Sequence, residues 1–418
     1  MIEEIKNIPS KVAIEQFDVS TLAKDKIREL FRTGKLPTAE AMVDEILLRA
    51  AKEGATDLHV EPADNEVRIR IGREGVMKRL VHLPKEISEN LASVLKTRAN
   101  LNAFEKKKPQ EGRFSTTIGN QPIDIRISTV PIMMGERVAL RLLFKNTTVA
   151  NMEELGFSAN NLEKFRSLLK RSSGLVLVTG PSSSGKSTTI YAAVKSIQSP
   201  EKNIFTVENP IEYKLDLASQ VSTGIDKSFT FVDALRAILR QNPDVIMLGE
   251  IRDAETGIVA SEAALTGNLV LSTLIATDAV GAIPRMLNIG VPAYWLASTL
   301  VGVVHQALVR KICEACKEQY IPQEGEGATL LKMLTEQKLF FRGKGCAKCG
   351  GSGYNGRTAI QEVLVVNDQL RDLIYQQASI LKLKEAARLS GFVDIFEDAK
   401  TKVAAGVTTI QEFERALG

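Results

Sequence analysis

The chain has 418 residues, 44% hydrophobic and 25% charged, enough for two to four domains with real cores, which excludes disorder over most of its length. Its 29 Gly and 14 Pro are neither abundant nor periodic, which excludes a fibrous protein. Basic residues exceed acidic ones by 54 − 50 = +4, too mild a balance to argue for nucleic acid.

The opening MIEEIKNIPS carries charge where the apolar part of a secretory signal would begin, so no signal is expected. Residues 1–36 are mixed and charged, with a short helix expected over 20–33. A domain is expected over 37–148. Met42, Val43, Ile46, Leu47 and Ala50 recur at helical spacing over 39–52. Alternating segments at 57–60, 67–71, 113–118, 123–130 and 137–143 predict strands, with a second helix over 87–99. Helices mixed with alternating strands suggest an α+β domain with one open sheet face, ending in a polar linker at 145–151.

From residue 173 the rhythm changes. The runs 175–178, 204–207, 245–248 and 269–271 are short and almost wholly apolar, as strands buried on both faces are. Helical stretches separate them, which predicts an α/β domain with a largely parallel sheet over 149–310. Residues 286–309 hold no Asp, Glu, Lys or Arg, yet Asn288, Pro292, His305 and Gln306 make them too polar for a membrane span. A buried helix is expected there. Residues 311–356 are rich in loops, and 357–418 read as a helical tail with helices over 369–377, 381–390, 396–405 and 409–416.

The segment Gly180-Pro181-Ser182-Ser183-Ser184-Gly185-Lys186-Ser187 fits G-x-x-x-x-G-K-[ST]. It follows an apolar strand and precedes a helix beginning near Thr188, the context the motif requires. Its glycines let successive amides point inward at phosphate oxygens, and the helix N-terminus adds partial positive charge. Lys186 would reach the β- and γ-phosphates and Ser187 would hold Mg²⁺. The apolar run 245–248 ends at Gly249-Glu250, placing a carboxylate at a neighbouring strand end where it can hold or polarise water.

Cys313-x-x-Cys316 and Cys346-x-x-Cys349 form two knuckles 29 residues apart. Two such knuckles supply a tetrahedral Zn²⁺ site with no open position, hence a structural one. Disulfides and buried thiols are the alternatives, and the lack of a secretory signal disfavours disulfides. His59, His82 and His305 lie too far apart in the chain to suggest a metal triad.

From about residue 39 onward the chain resembles the secretion ATPases of type II secretion and type IV pilus assembly. GPSSSGKSTTIY, TVENPIEY, ILRQNPDVIMLGEIRD and ALTGNLVLSTLIATDA look like that family's boxes in order and spacing, and ATDLHVEP, QEGRF, DIRIS and GERVALRLL look like its N-terminal domain. The resemblance implies a PAS-like N-terminal domain, a RecA-like P-loop ATPase domain and a hexameric ring. It implies a cytoplasmic motor at the inner face of the cytoplasmic membrane, beneath an inner-membrane platform protein, powering assembly of pilin or pseudopilin subunits. Its membrane association would be peripheral, through partners, and a DNA-uptake role is weaker because no basic-aromatic stretch is present. ATP, Mg²⁺ and Zn²⁺ are the cofactors it implies.

By the same resemblance Glu208 and Glu212 belong to an acidic box near Mg²⁺ and water, and Glu250 is the catalytic carboxylate. Arg126, Arg141, Arg236 and Arg240 match arginines that touch phosphate or subunit interfaces, although each could be an ordinary surface charge. Arg357 falls where the family often has an arginine, with a surface salt bridge as the alternative. Asn209 replaces an acidic-box Asp, while Asn268 and Ile275 replace the two histidines of the histidine box. Ile275 cannot donate a hydrogen bond. An active but altered ATPase is therefore expected, with a non-hydrolysing, nucleotide-binding ring subunit as the alternative.

Overall fold

The computed structural model describes residues 38–144, 149–223, 228–322 and 339–417. The helix expected over 20–33 and residues 145–148 of the expected linker lie outside them. Two compact units divide the chain, Met1–Thr147 and Thr148–Gly418.

In the first unit, helix α1 (Ala39–Lys52) begins at Thr38, whose hydroxyl accepts from the Ala41 amide at 3.2 Å. Strands β1 (Asp57–Pro62), β2 (Glu66–Arg73) and β3 (Val76–Pro84) lead to α2 (Ser88–Arg98), followed by β4 (Gln110–Ile118), β5 (Gln121–Ile132) and β6 (Gly135–Phe144). They form one six-stranded sheet, β3-β2-β1-β6-β5-β4, with every neighbouring pair antiparallel. Strict alternation puts Leu58, Val60, Ile69, Ile125 and Leu140 on the face that packs against Ile46, Leu47, Leu91 and Leu95 of the helices. The other face is polar, as the alternation predicts.

The second unit opens with α3 (Ala159–Leu169), β7 (Gly174–Thr179), α4 (Lys186–Ile197), β8 (Ile204–Glu208) and β9 (Ser219–Ser222). Next come α5 (Phe231–Leu239), β10 (Val245–Leu248), α6 (Ala254–Leu265), β11 (Leu269–Leu274), α7 (Ala282–Asn288), α8 (Ala293–Thr299) and β12 (Leu300–Ile312). A small hairpin of β13 (Lys317–Tyr320) and β14 (Phe340–Gly343) precedes β15 (Tyr354–Val365). The chain closes with α9 (Asp368–Tyr375), α10 (Ile380–Leu389), α11 (Ile395–Ala404) and α12 (Ile410–Leu417).

The main sheet runs β15-β12-β7-β11-β10-β8-β9, parallel except for β15. All six residues of β7 are buried: Leu175 and Leu177 enter the core on one face, Val176 and Val178 the core on the other. That double cover is why the strand has no polar side.

The structure overturns the buried helix expected over 286–309. Helix α7 ends at Asn288, α8 covers Ala293–Thr299, and from Leu300 the chain is strand. The physical reason is β12's place between β7 and β15: a strand buried on both faces needs apolar residues throughout, and the β-branched Val301, Val303 and Val304 favour extended backbone. Strand β12 passes through residue 310 and β15 through residue 356, so both flanks of the cysteine-bearing segment are strands of the main sheet. The tail beyond Val365 is helical.

Candidate active site

Strand β7 delivers the chain to Gly180 at the carboxyl edge of the parallel strands. Gly180 has φ +145°, and a Cβ there would meet the Gln306 carbonyl oxygen at 2.3 Å and Ser184 Oγ at 2.6 Å, so only glycine fits. Gly185, at φ +87°, is the left-handed residue from which α4 starts. Pro181, Ser182, Ser183 and Ser184 form the bend between them, and Lys186, Ser187 and Thr188 open the helix. The loop and the helix N-terminus together form an anion-binding end.

Lys186 Nζ lies across its own loop, donating to the carbonyls of Gly180 at 3.0 Å and Pro181 at 2.7 Å. Burial holds its pKa below the ordinary lysine value, partly offset by the Glu250 carboxylate. The Ser184 hydroxyl is buried with no hydrogen-bond partner among the described residues.

Gln306, which sequence reasoning missed, braces this loop from β12. Its side chain is 1% exposed. Its Nε2 donates to the Ser184 carbonyl at 2.7 Å and its Oε1 accepts from Thr189 Oγ1 at 2.8 Å. Its neighbour His305 stands in register with Thr179 and lies 3.1 Å from the Thr179 hydroxyl through Nδ1.

Glu250 follows β10 by two residues, and Gly249 is held by its amide to the Val207 carbonyl at 2.8 Å. The Glu250 carboxylate pairs with Arg252, whose side chain is 74% exposed, so the pair is worth little and opens easily. Glu208 ends β8 and is buried. Burial pushes its pKa up, opposed by hydrogen bonds to both oxygens: Thr206 Oγ1 and Gln220 Nε2 donate to Oε1 at 2.6 and 3.1 Å, and Tyr191 donates to Oε2. Glu212 instead presents Oε1 to the Ser187 hydroxyl at 3.3 Å. Lys186, Ser187, Tyr191, Glu208, Glu212 and Glu250 line one cleft of about 160 Å³. It opens at the carboxyl ends of parallel strands, where α/β sheets place their ligands. A hydroxyl and a carboxylate 3.3 Å apart are hard oxygen donors of the kind that suits Mg²⁺.

Other residues singled out from the sequence stand elsewhere. Arg236 reaches Glu255 at 3.3 Å and Arg240 caps the C-terminus of α5; neither lines the cleft. In the first unit, Arg126 and Arg141 are directly opposed across β5 and β6, and Arg141 Nε lies 3.6 Å from Asp57. Arg113 opposes Arg126 across β4 and β5, extending the row to three arginines, and the sequence reading did not include it. Asn268 is at the amino edge of β11: its Nδ2 donates to the Ala263 carbonyl at 2.8 Å and its carbonyl accepts from the Gly174 amide at 3.1 Å. That is the sheet edge opposite Gly180, so Asn268 anchors the start of the strand and cannot stand in for a phosphate contact in this chain. Ile275, 56% exposed, follows β11 at the same edge as Gly180.

The four cysteines converge. Their sulfurs lie within 4.8 Å of one another, with contacts of 3.9 Å (Cys313–Cys346), 3.9 Å (Cys316–Cys349) and 3.7 Å (Cys346–Cys349). Ligands about 2.3 Å from a tetrahedral Zn²⁺ stand about 3.8 Å apart, so the cluster has the size of that metal's ligand shell. All four are free thiols, far beyond disulfide bonding distance. Burial pushes the Cys316 thiol up to about 12. Burial acts likewise on Cys349, but amides of Cys346 and Gly353 pointing at its sulfur bring it down to about 6.

A family model described as Type II/IV secretion system protein matches residues 33–415. The type II secretion system ATPase E of Vibrio cholerae is 42% identical over 374 residues, covering 90% of this chain and 74% of the relative. The type IV pilus assembly ATPase PilB of Thermus thermophilus is 40% identical over 379 residues, covering 90% of this chain but only 42% of that longer protein. Among solved structures, the pilus retraction motor PilT with bound ADP superposes with a TM-score of 0.58 at 27% identity, covering 88% of this chain and 95% of PilT. The Legionella pneumophila ATPase DotB, at 19% identity and a TM-score of 0.63 over 90% of this chain and 94% of DotB, shares the fold.

Proposed function

The chain belongs to the Type II/IV secretion system protein family and is a secretion or pilus-assembly ATPase, and from that premise we propose how its residues divide the work. The amides of 180–187, the α4 N-terminus and Lys186 hold the β- and γ-phosphates of ATP. Ser187 and Glu212 would hold Mg²⁺, which would supply neutralisation of the phosphates' negative charge. Glu250 leaves its exposed partner Arg252 and orients the attacking water. Glu208, with both oxygens engaged, shapes the cleft without ligating. Phosphoryl transfer asks mainly for positioning and charge neutralisation, and these residues supply both.

The observation that carries this reading is the convergence of Lys186, Ser187, Glu212 and Glu250 on one cleft at one sheet edge. Arg113, Arg126 and Arg141 offer a row of guanidiniums suited to phosphate, and Arg236 and Arg240 are left for contacts between copies in a hexameric ring at the cytoplasmic face of the inner membrane. The four cysteines hold one structural Zn²⁺. That element favours assembly of pilin or pseudopilin through a platform protein over retraction. Ile275, at the phosphate edge without a donor, favours turnover slower than a histidine there would give.

One ATPase series tests the assignment. Lys186→Ala should lower turnover by at least about 100-fold, and Ile275→His should raise it. Equal rates for wild type and Lys186→Ala would refute the site. No turnover by wild type, with turnover restored in Ile275→His, would favour a non-hydrolysing ring subunit instead.

A further inference from the structure

Tyr191 has no part in the division of work above, yet it lines the cleft. It is 2% exposed on α4, and its ring packs edge-on against Tyr213 with centroids 5.0 Å apart. Its hydroxyl makes three contacts. It donates to Glu208 Oε2, and it accepts from the amides of Glu212 at 3.1 Å and Tyr213 at 3.2 Å.

Gln220 of β9 closes the same network from the other side. Its Nε2 donates to Glu208 Oε1 at 3.1 Å and to the Tyr213 carbonyl at 2.9 Å, while its Oε1 accepts from the Leu215 amide at 2.8 Å. The segment 209–215 has no regular secondary structure. Its position therefore depends on these side-chain clips, and Glu212 is the residue they aim at Ser187.

We propose that Tyr191 is a positioning residue for ATP hydrolysis, whose hydroxyl sets Glu212 beside Ser187 and so completes the Mg²⁺ site. The inference rests on reading 180–187 as the nucleotide site. A metal site needs its ligands placed within about 0.5 Å, and losing an outer hydrogen-bond partner typically costs 10–100-fold in metal affinity. A role confined to folding would instead lower turnover equally at every metal concentration.

The test is Tyr191→Phe, which keeps the ring and removes the hydroxyl. ADP binding in EDTA should stay within about twofold of wild type. The Mg²⁺ concentration for half-maximal turnover should rise about 10–100-fold, and excess Mg²⁺ should restore most of the rate. In combination with Glu212→Gln, Tyr191→Phe should add nothing further to the metal requirement. Gln220→Met should shift the requirement in the same direction, and it carries the test alone if Tyr191→Phe does not fold. A wild-type Mg²⁺ response in the folded variant, a loss that excess metal does not rescue, or effects that multiply with Glu212→Gln would overturn the proposal. Failure of wild type to bind ADP would instead sink the nucleotide site itself.

Discussion

His305 and Glu362 stand directly opposite each other across β12 and β15, both buried, and their titrations act on stability in opposite directions. Burial lowers the His305 pKa from 6.5 to about 4, with Asp278 opposing and Lys186 assisting. Burial raises the Glu362 pKa from 4.5 to about 7; the amides of Ala279 and Ile395 oppose this, and Asp278 and Asp394 assist. Between pH 4 and 6.5 the unfolded chain carries a proton on His305 that the folded chain lacks, so this group makes stability rise with pH. Between pH 4.5 and 7 the folded chain carries a proton on Glu362 that the unfolded chain lacks, so this group makes stability fall as pH rises. Each interval corresponds to roughly 3 kcal/mol, and the two contributions nearly cancel where they overlap.

Removing either group should expose the other. Urea unfolding of wild type, His305→Asn and Glu362→Gln at a series of pH values from about 4.5 to 7.5 reads the effect, because carboxylates common to all three proteins drop out of the differences. Relative to wild type, His305→Asn should lose roughly 2–3 kcal/mol as pH rises through this range, and Glu362→Gln should gain a similar amount. Profiles parallel to wild type for both variants would show that neither side chain changes its protonation on unfolding, and the reasoning would fail.

Gln306→Leu keeps the shape of the side chain but strips the Ser184 carbonyl and the Thr189 hydroxyl of buried partners, at a cost of about 2–4 kcal/mol. A thermal melt should fall by several degrees and ADP affinity should drop with it; an unchanged melt and affinity would mean the loop does not need its brace. Elemental analysis should find one zinc per chain, and Cys349→Ser or chelation should lower the melting temperature; zinc well below one per chain would defeat the cysteine assignment.

The sequence made the ends of the strands legible more readily than their neighbours. Gly180, Gly185 and Lys186 could be placed because the motif lies between an apolar run and a helical one, a purely local pattern. Glu250 could be placed because a run of four apolar residues ends beside it. Alternation predicted five of the six described strands of the first unit for the same reason, because one face of that sheet is solvated and period two survives in the sequence; β3, whose first half is exposed without alternation, was missed. Tyr191 and Gln220 carried no such mark. Each meets Glu208 through a fold that brings α4, β8 and β9 together, and a tyrosine within an apolar helix or a glutamine on a short edge strand reads as packing.

Strand β12 shows why one misread segment hid so much. A central strand must be apolar on both faces, which erases the alternation that would have identified it, and at 13 residues it is long enough to pass for a helix. Reading it as a helix scattered His305 and Gln306 over different sides of a cylinder. As a strand, it carries His305 beside Thr179 and Gln306 under Ser184, then runs directly into Cys313 one residue past its end. Its antiparallel partner β15 leaves the cysteine cluster just after Cys349 and returns Glu362 to a place opposite His305. The two strands are therefore one ribbon, closed at one end by four thiols and pressed at mid-length, through Gln306, against the phosphate loop. The cysteine cluster and the hold on Ser184 thus sit on the same pair of strands, on either side of a register shift between Arg310 and Ile312.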